Sequence, residues 1–133
     1  MGNSIVGPQE LVKAALSARE KAYAPYSRFR VGAALLTGGG NIYTGCNIEN
    51  SSYGLTCCAE RVALFKAVSE GERHFTALAV ASDSEDYTSP CGACRQVLND
   101  FDEGLTVYLA NRRGEYREAR LAELLPLSFK LKA

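Results

Sequence analysis

Three cysteines and one glutamate stand at spacings that can build a metal-assisted hydrolytic site. Cys91 and Cys94 form a C-x-x-C pair directly after Pro90, and Cys58 precedes Glu60 by two residues. A catalytic zinc ion takes three protein ligands and keeps a fourth position for water, and three thiolates meet that count. A carboxylate beside such an ion can act as general acid and base. The pattern therefore predicts a zinc site with the three cysteines as ligands and Glu60 as the catalytic residue.

Each of these features also has a simpler interpretation. A C-x-x-C pair alone is equally typical of a redox dithiol, half of a structural zinc site or two buried cysteines. Cys46 or Cys57 could be a fourth ligand, which would close the site and leave no place for water. Glu60 could simply stabilise a helix N-terminus through the helix dipole. The joint occurrence of ligands and carboxylate favours the catalytic interpretation.

The charge of the predicted centre has to be balanced, because three thiolates and one zinc ion leave a net negative charge. Both cysteine clusters are expected at helix N-termini, where unpaired N–H groups and the helix dipole favour negative charge. Arg61 and Arg95 each lie next to one cluster in the sequence. We expect Arg61 to be the charge-compensating side chain at Cys58.

Helices and strands have to hold these residues in place. Apolar residues recur at helical spacing from Pro8 to about Tyr23, where Ala24-Pro25 ends the pattern because a residue before proline disfavours the helical region. Gly38-Gly39-Gly40-Asn41 is a tight-turn sequence between two apolar runs and predicts a hairpin. The remaining apolar runs predict helices at 59–69, 92–99 and 121–125, and strands at 30–37, 42–46, 75–81, 105–110 and 116–119.

This alternating order of elements predicts the fold class. Strands and helices that alternate along one chain are typical of an α/β domain with helices on both faces of one sheet. We therefore expect a three-layer α/β/α architecture around a mixed five-stranded sheet. A length of 133 residues fits one domain that spans residues 1–133.

Composition argues against several classes of protein. The chain has 15 basic and 15 acidic side chains, so broad electrostatic binding to nucleic acid or to an anionic membrane is not expected. No run of eighteen apolar residues is present, and charged residues interrupt the first thirty positions, so neither a membrane span nor a secretory leader is predicted. We therefore expect a cytoplasmic location. In that reducing compartment, the five cysteines are expected to include metal ligands or reactive thiols rather than disulfides.

Four motifs make the chain resemble the small homotetrameric cytidine deaminases, a zinc-dependent family. The C-x-E…P-C-x-x-C pattern is typical of zinc-dependent nucleobase deaminases, with cysteine or histidine in the first place. The resemblance runs from the first predicted helix nearly to the end of the chain. The four motifs are Tyr23–Ala34 (YAPYSRFRVGAA), Gly45–Asn50 (GCNIEN), Cys58–Arg61 (CAER) and Pro90–Gln96 (PCGACRQ). In addition, Leu124-Leu125-Pro126 with Phe129 resembles the C-terminal segment of the family.

The resemblance implies an activity and further site residues. The implied activity is hydrolytic deamination of free cytidine and deoxycytidine to uridine and deoxyuridine plus ammonia, with one zinc per subunit, in pyrimidine salvage. Asn47 and Glu49 are similar to the pair that binds the ribose hydroxyls, and Phe29 to the ring that packs on the pyrimidine. Tyr53 is expected to line the same pocket. Phe129 is similar to an aromatic that reaches a neighbouring subunit's site, which implies a homotetramer with shared active sites.

Other interpretations of these residues stay open at this point. Without the zinc motifs, Asn47-Ile48-Glu49 would be an ordinary polar loop, Phe29 a packing residue and Phe129 part of a loose tail. A deaminase of an aminoglycosyl-nucleoside antibiotic or of a polynucleotide cytosine is a second enzymatic interpretation. The Asn47–Glu49 pair favours a free ribose, and the neutral composition disfavours a polynucleotide. A non-enzymatic zinc module would need four protein ligands and would have no use for Glu60.

Overall fold

Within residues 6–102 and 104–131, which the computed structural model describes, five strands form one mixed sheet with helices on both faces. This confirms the predicted three-layer α/β/α class. The strands are β1 (Val31–Thr37), β2 (Ile42–Cys46), β3 (Phe75–Ser82), β4 (Thr106–Ala110) and β5 (Tyr116–Arg120). The helices are α1 (Pro8–Arg19), α2 (Ala59–Ser69), α3 (Gly92–Asn99) and α4 (Leu121–Leu124).

The strand order brings several chain segments to one edge of the sheet. The order is β2-β1-β3-β4-β5, in which β3 and β4 run parallel and the other pairs antiparallel. Gly32 near the start of β1 lies opposite Cys46 at the end of β2, and Val31 lies opposite Ser82 at the end of β3. The loop that leaves β3 leads to the N-terminus of α3. This edge is therefore where the C-x-x-C segment meets the ends of the hairpin.

The apolar core is divided by the sheet into two layers. On one face, α1 packs against alanine-rich stretches of β1 and β3 through Leu11, Val12 and Ala15. On the other face, α2, α3 and α4 cover larger side chains such as Leu35 and Leu78. Because β3 is buried on both faces, its sequence is apolar almost throughout and does not alternate.

Two glycines allow the helices to lie directly on the hairpin. A Cβ atom at Gly32 would lie 2.0 Å from the carbonyl oxygen of Ala15 in α1. A Cβ atom at Gly45 would lie 2.4 Å from the carbonyl oxygen of Ala59 and 2.5 Å from the backbone nitrogen of Ala63, both in α2. Since these neighbours are backbone atoms, they cannot rotate away. Gly45 thus sets how closely the first turns of α2 approach the sheet.

Most predicted boundaries agree with the structure to within one residue, but two regions differ. The first helix ends at Arg19 rather than near Tyr23. Tyr23 instead pairs with the segment after β2: its N–H donates to Asn47, and its carbonyl accepts from Glu49. A short 3₁₀ turn, Tyr53–Leu55, also lies inside the region predicted as loop. Among the described residues, no helix combines the length and the apolar character needed to cross a bilayer.

We expect Gly45→Ala to lower the free energy of unfolding by about 3 kcal/mol, because the added methyl group would overlap backbone atoms of α2. Gly39→Ala is the matched control, since its added Cβ would come no closer than 3.9 Å to another residue beyond its neighbours. The control should change stability by less than about 0.5 kcal/mol. Urea unfolding followed by circular dichroism measures both. Equal stability of the two variants would contradict the close approach.

Candidate metal centre and active site

The three cysteines of the predicted zinc site lie at the N-termini of two helices. Cys58 is the N-cap residue of α2, and Cys91 is the N-cap residue of α3. Cys94 lies in the first turn of α3, where its backbone N–H is 3.4 Å from the Cys91 sulfur. Unpaired N–H groups at helix N-termini favour negative charge. The fold thus brings together three thiols in surroundings that stabilise thiolates.

The geometry of the thiol cluster fits a tetrahedral zinc ion. The Sγ atoms of Cys58, Cys91 and Cys94 all lie within 4.8 Å of one another. The Sγ atoms of Cys58 and Cys91 are 3.7 Å apart. Zinc–sulfur bonds of about 2.3 Å at tetrahedral angles would place two sulfurs about 3.8 Å apart. The three thiols therefore match three corners of a zinc tetrahedron and leave the fourth corner for another ligand.

The thiols of the cluster influence one another's ionisation. Hydrogen bonds from Cys94, Arg61 and Cys91 lower the pKa of Cys58 to about 5, although partial burial opposes this change. The pKa of Cys94 is raised, because its thiol donates to the Cys58 thiolate and is buried. One thiolate thus keeps its neighbour protonated. A dication would offset this repulsion and allow all three sulfurs to ionise together.

The two arginines beside the cysteines lie in different environments. An Nη atom of Arg61 is 3.4 Å from the Cys58 sulfur, and this hydrogen bond raises the pKa of the Arg61 guanidinium. The guanidinium of Arg95 instead donates to the carbonyl oxygens of Pro90 and Leu124, each at 2.8 Å. Arg61 is thus placed to balance thiolate charge. Arg95, the cation next to Cys94 in the sequence, holds the backbone before Cys91 against the end of α4.

Glu60 lies in the first turn of α2 and is only 4% exposed. Burial raises the pKa of Glu60 to about 7, and the negative charge at Cys58 adds to the rise. Its own backbone N–H, the Cys94 thiol and Arg61 act in the opposite direction. A carboxyl group with a pKa near neutrality is populated in both forms at pH 7, which suits a group that both accepts and donates protons.

A cavity of about 220 Å³ lies beside the thiol cluster. The structure brings predicted ligands, the predicted acid–base residue and predicted substrate contacts to its wall. Ser89 and Thr88 also line it, although nothing in their sequence separates them from an ordinary polar loop before Pro90. The lining residues are Phe29, Val31, Asn47, Thr56, Cys58, Ala59, Glu60, Thr88, Ser89 and Cys91.

The two predicted sugar-binding residues are both buried and tightly held. Asn47 accepts a hydrogen bond from the backbone of Val31 at 2.9 Å and donates one to the carbonyl of Phe29 at 2.8 Å. Glu49 accepts hydrogen bonds from the backbone and the hydroxyl of Ser27. Glu49 lines an adjacent cavity together with Cys57. Its carboxylate is hydrogen-bonded to the loop that leads to Phe29, which lines the cavity of Glu60. Sequence inspection did not single out Ser27.

The structure does not bring Tyr53 or Phe129 to the cavity of its own chain. Tyr53 begins the 3₁₀ turn and is 79% exposed, so the expectation that it lines this pocket does not hold within one chain. Phe129 is 66% exposed, and its carbonyl accepts a hydrogen bond from Gln96 of α3 at 3.1 Å. Both aromatic rings remain accessible to another molecule.

Comparison with known proteins agrees with this site. The family model described as the cytidine and deoxycytidylate deaminase zinc-binding region matches residues 7–110. The chain is 57% identical over 122 residues to a cytidine deaminase of Sporosarcina psychrophila, covering 91% of this chain and 90% of that one. A cytidine deaminase of Halalkalibacterium halodurans is 56% identical over 122 residues, covering 91% and 92%.

A solved structure shows the same fold. The crystal structure of a cytidine deaminase from Burkholderia pseudomallei is 51% identical and superimposes with a TM-score of 0.87, covering 90% of this chain and 96% of that chain. The region matched by the family model contains the thiol cluster and Glu60. The resemblance first indicated by four short motifs is thereby confirmed: the chain belongs to the zinc-binding cytidine and deoxycytidylate deaminase family.

Proposed function

We propose that the chain catalyses zinc-dependent hydrolytic deamination of free cytidine and deoxycytidine to uridine and deoxyuridine, with release of ammonia. One observation carries the proposal: the buried residue Glu60 shares a cavity with two cysteines of the thiol cluster and with Phe29 and Asn47. The cavity therefore combines cysteines that can bind a water-activating metal ion, a carboxyl group that can transfer protons and an aromatic side chain that can pack on a planar base. The thiol cluster fits one zinc per subunit.

Glu60 carries the protons in this reaction. Zinc, when bound, supplies a Lewis acid that lowers the pKa of water. The ionised Glu60 carboxylate accepts a proton from the attacking water and donates it to N3 of the pyrimidine as the new C4–O bond forms. Glu60 then accepts the second proton from the new hydroxyl on C4 and donates it to the amino group. As the C4–O bond becomes a carbonyl, the C4–N bond breaks and ammonia leaves. Cytidine and water are converted to uridine and ammonia, and the carboxylate is regenerated.

The remaining site residues have roles in binding. The Phe29 ring packs on the pyrimidine. One N–H of the Asn47 amide is held by the carbonyl of Phe29, so its second N–H remains for a ribose hydroxyl. Glu49 accepts a hydrogen bond from the sugar, and Arg61 balances the charge of the thiolates. A non-enzymatic zinc module would not account for the burial of Glu60, which is not a member of the ligand cluster.

We infer that the active unit is a homotetramer with shared active sites. Exposed apolar side chains occur on the segment after β2 and on α2, namely Ile48, Leu55 and Phe65. They border the larger adjacent cavity, about 480 Å³ in volume. Contiguous exposed apolar surface is typical of protein–protein interfaces. Across such an interface Phe129, and with it Tyr53, completes the pocket of a neighbouring subunit.

The proposed setting is the cytoplasm, with pyrimidine salvage as the role and one catalytic domain spanning residues 1–133. All five cysteines are free in the structure. Free thiols and thiolate ligands persist in a reducing compartment, where disulfides are rare. The proposed substrate is a neutral nucleoside, in keeping with the balanced charge of the chain.

We expect Glu60→Gln to lower kcat by about 10³-fold or more, because the amide cannot accept and return a proton. The loss of cytidine absorbance measures turnover, with cytosine, CMP and adenosine as substrate controls. Glu70→Gln is the matched variant, since Glu70 is exposed at the other end of α2, and it should keep full activity. Both variants should retain zinc. Normal turnover by Glu60→Gln would contradict its role.

Substitutions of the adjacent residues Cys57 and Cys58 are expected to have opposite effects on zinc content. Cys57→Ala should retain one zinc per subunit, because Cys57 lies outside the thiol cluster. Cys58→Ala should lose most of its zinc, because only two thiolate ligands remain. Metal analysis of both purified variants measures the difference. Loss of zinc from Cys57→Ala with retention in Cys58→Ala would show that the other thiol is the ligand.

Shared active sites predict recovery of activity in mixed oligomers. Phe129→Ala and Glu60→Gln should each be impaired alone. After subunit exchange, some sites should combine an intact Glu60 with an intact Phe129 from a neighbour. The mixture should then exceed the average activity of the two separate variants, measured by cytidine absorbance. A mixture that stays at the average after exchange, verified by mass-tagged subunits, would argue that Phe129 serves only its own chain.

A further inference from the structure

The hydroxyl of Ser27 connects two residues that the proposed function places at the substrate. It donates a hydrogen bond to Oε2 of Glu49 and accepts one from the backbone N–H of Phe29 at 3.0 Å. Glu49 lies 22 positions further along the chain. One small side chain thus joins the loop that carries Phe29 to the segment that carries the sugar-binding pair.

The carboxylate of Glu49 is almost completely occupied by this loop. Oε1 accepts from the backbone N–H groups of Tyr26 and Ser27 at 3.0 and 3.1 Å, while Oε2 accepts from the Ser27 hydroxyl. A carboxylate offers about four acceptor positions, so about one remains, on the oxygen that Ser27 contacts. A free acceptor position on a buried anion suits a hydroxyl donor such as that of a sugar.

The negative charge of the Glu49 carboxylate is stabilised by hydrogen bonds from uncharged groups, namely two backbone N–H groups and the Ser27 hydroxyl. None of the ion pairs among residues 6–102 and 104–131 includes Glu49. The residue as a whole is nevertheless only 8% exposed. The hydrogen bond from the Ser27 hydroxyl is the largest influence that lowers the pKa of Glu49, and it outweighs the effect of burial. Glu49 therefore stays an acceptor at neutral pH.

The backbone between Ser27 and Phe29 is in an unusual conformation. Arg28 has a φ of 58°, in the left-handed region that non-glycine residues rarely adopt. The hydrogen bond from the Phe29 N–H to the Ser27 hydroxyl closes the turn around it. The Phe29 carbonyl is then held by Asn47. The Ser27 hydroxyl thus contributes a hydrogen bond to this turn.

We propose that Ser27 is a positioning residue for recognition of the nucleoside sugar. Its hydroxyl orients the Glu49 carboxylate so that one acceptor position faces a ribose hydroxyl. The proposal rests on the proposed function, in which Glu49 contacts the sugar. Ser27 does not touch the reacting atoms, so its loss affects substrate binding rather than the proton transfers of Glu60.

Three variants test this role. Ser27→Ala should raise KM for cytidine about tenfold and change kcat by less than about twofold, because one hydrogen bond to a charged group is lost. Ser27→Thr keeps the hydroxyl and should restore most of the binding. Ser84→Ala is the matched control, since the Ser84 hydroxyl accepts from the N–H of Asp86, two residues on, without any carboxylate partner. It should leave KM unchanged.

A double-mutant cycle with Glu49→Gln separates positioning from a general structural effect. If Ser27 acts through Glu49, Ser27→Ala should lower kcat/KM by less than about twofold in the Glu49→Gln background. Assays with 2′-deoxycytidine and 3′-deoxycytidine add a second readout. An analogue that is insensitive to Glu49→Gln should also be insensitive to Ser27→Ala. Zinc content and the urea midpoint of every variant confirm folding, and Ser27→Cys replaces Ser27→Ala if the latter does not fold.

Two results would overturn the proposal while leaving the deamination intact. One is a Ser27→Ala effect as large in the Glu49→Gln background as in the wild type. The other is a loss confined to kcat, or no loss, in Ser27→Ala while the wild type is active. A wild-type protein that holds zinc but fails to deaminate any of the three nucleosides would instead overturn the proposed function.

Discussion

The arrangement of the site depends on one electrostatic constraint: three thiol groups converge within a few ångströms of one another. Ionisation of Cys58 disfavours ionisation of its neighbour Cys94, because the Cys58 thiolate raises the pKa of the Cys94 thiol. Two helix N-termini and Arg61 favour the first thiolate, and a dication would stabilise the others. Burial of Glu60 beside this negative cluster then raises its carboxyl pKa into the neutral range.

The fold meets this constraint by bringing two distant helices to one edge of the sheet. The parallel pairing of β3 with β4 places α3 after the end of β3, and the absence of a side chain at Gly45 lets α2 lie directly on β2. The hairpin β1–β2 adds the residues that flank the cavity. Thus the thiol ligands sit on helix ends, while the proposed substrate contacts sit on strand ends and loops. Loops positioned by a rigid scaffold commonly carry binding residues.

The sequence was sufficient to predict the fold class, the hairpin and the composition of the thiol cluster, because these depend on apolar periodicity and on ligand spacing. It did not reveal the early end of α1, since the pairing of Tyr23 with the segment after β2 is a tertiary contact without a local signal. Ser27 and Arg95 were missed as organising residues for the same reason. Serine in a loop and arginine on a helix are common, and their partners lie 22 and 29 positions away. The position of Tyr53 relative to the cavity could not be predicted from the sequence, because its side chain has few contacts within its own chain and is largely exposed to solvent.

The separation of the thiol ligands along the chain has a thermodynamic consequence. Cys58 and Cys91 are 33 positions apart, and the intervening chain contains α2 and the central strand β3. An ion bound to both closes this segment into a loop, so it restricts the unfolded chain in the way that a disulfide would. Unlike a disulfide, this cross-link forms reversibly and follows the free zinc concentration by mass action. The same ion that supports catalysis would then also set how much of the protein remains folded when zinc is scarce.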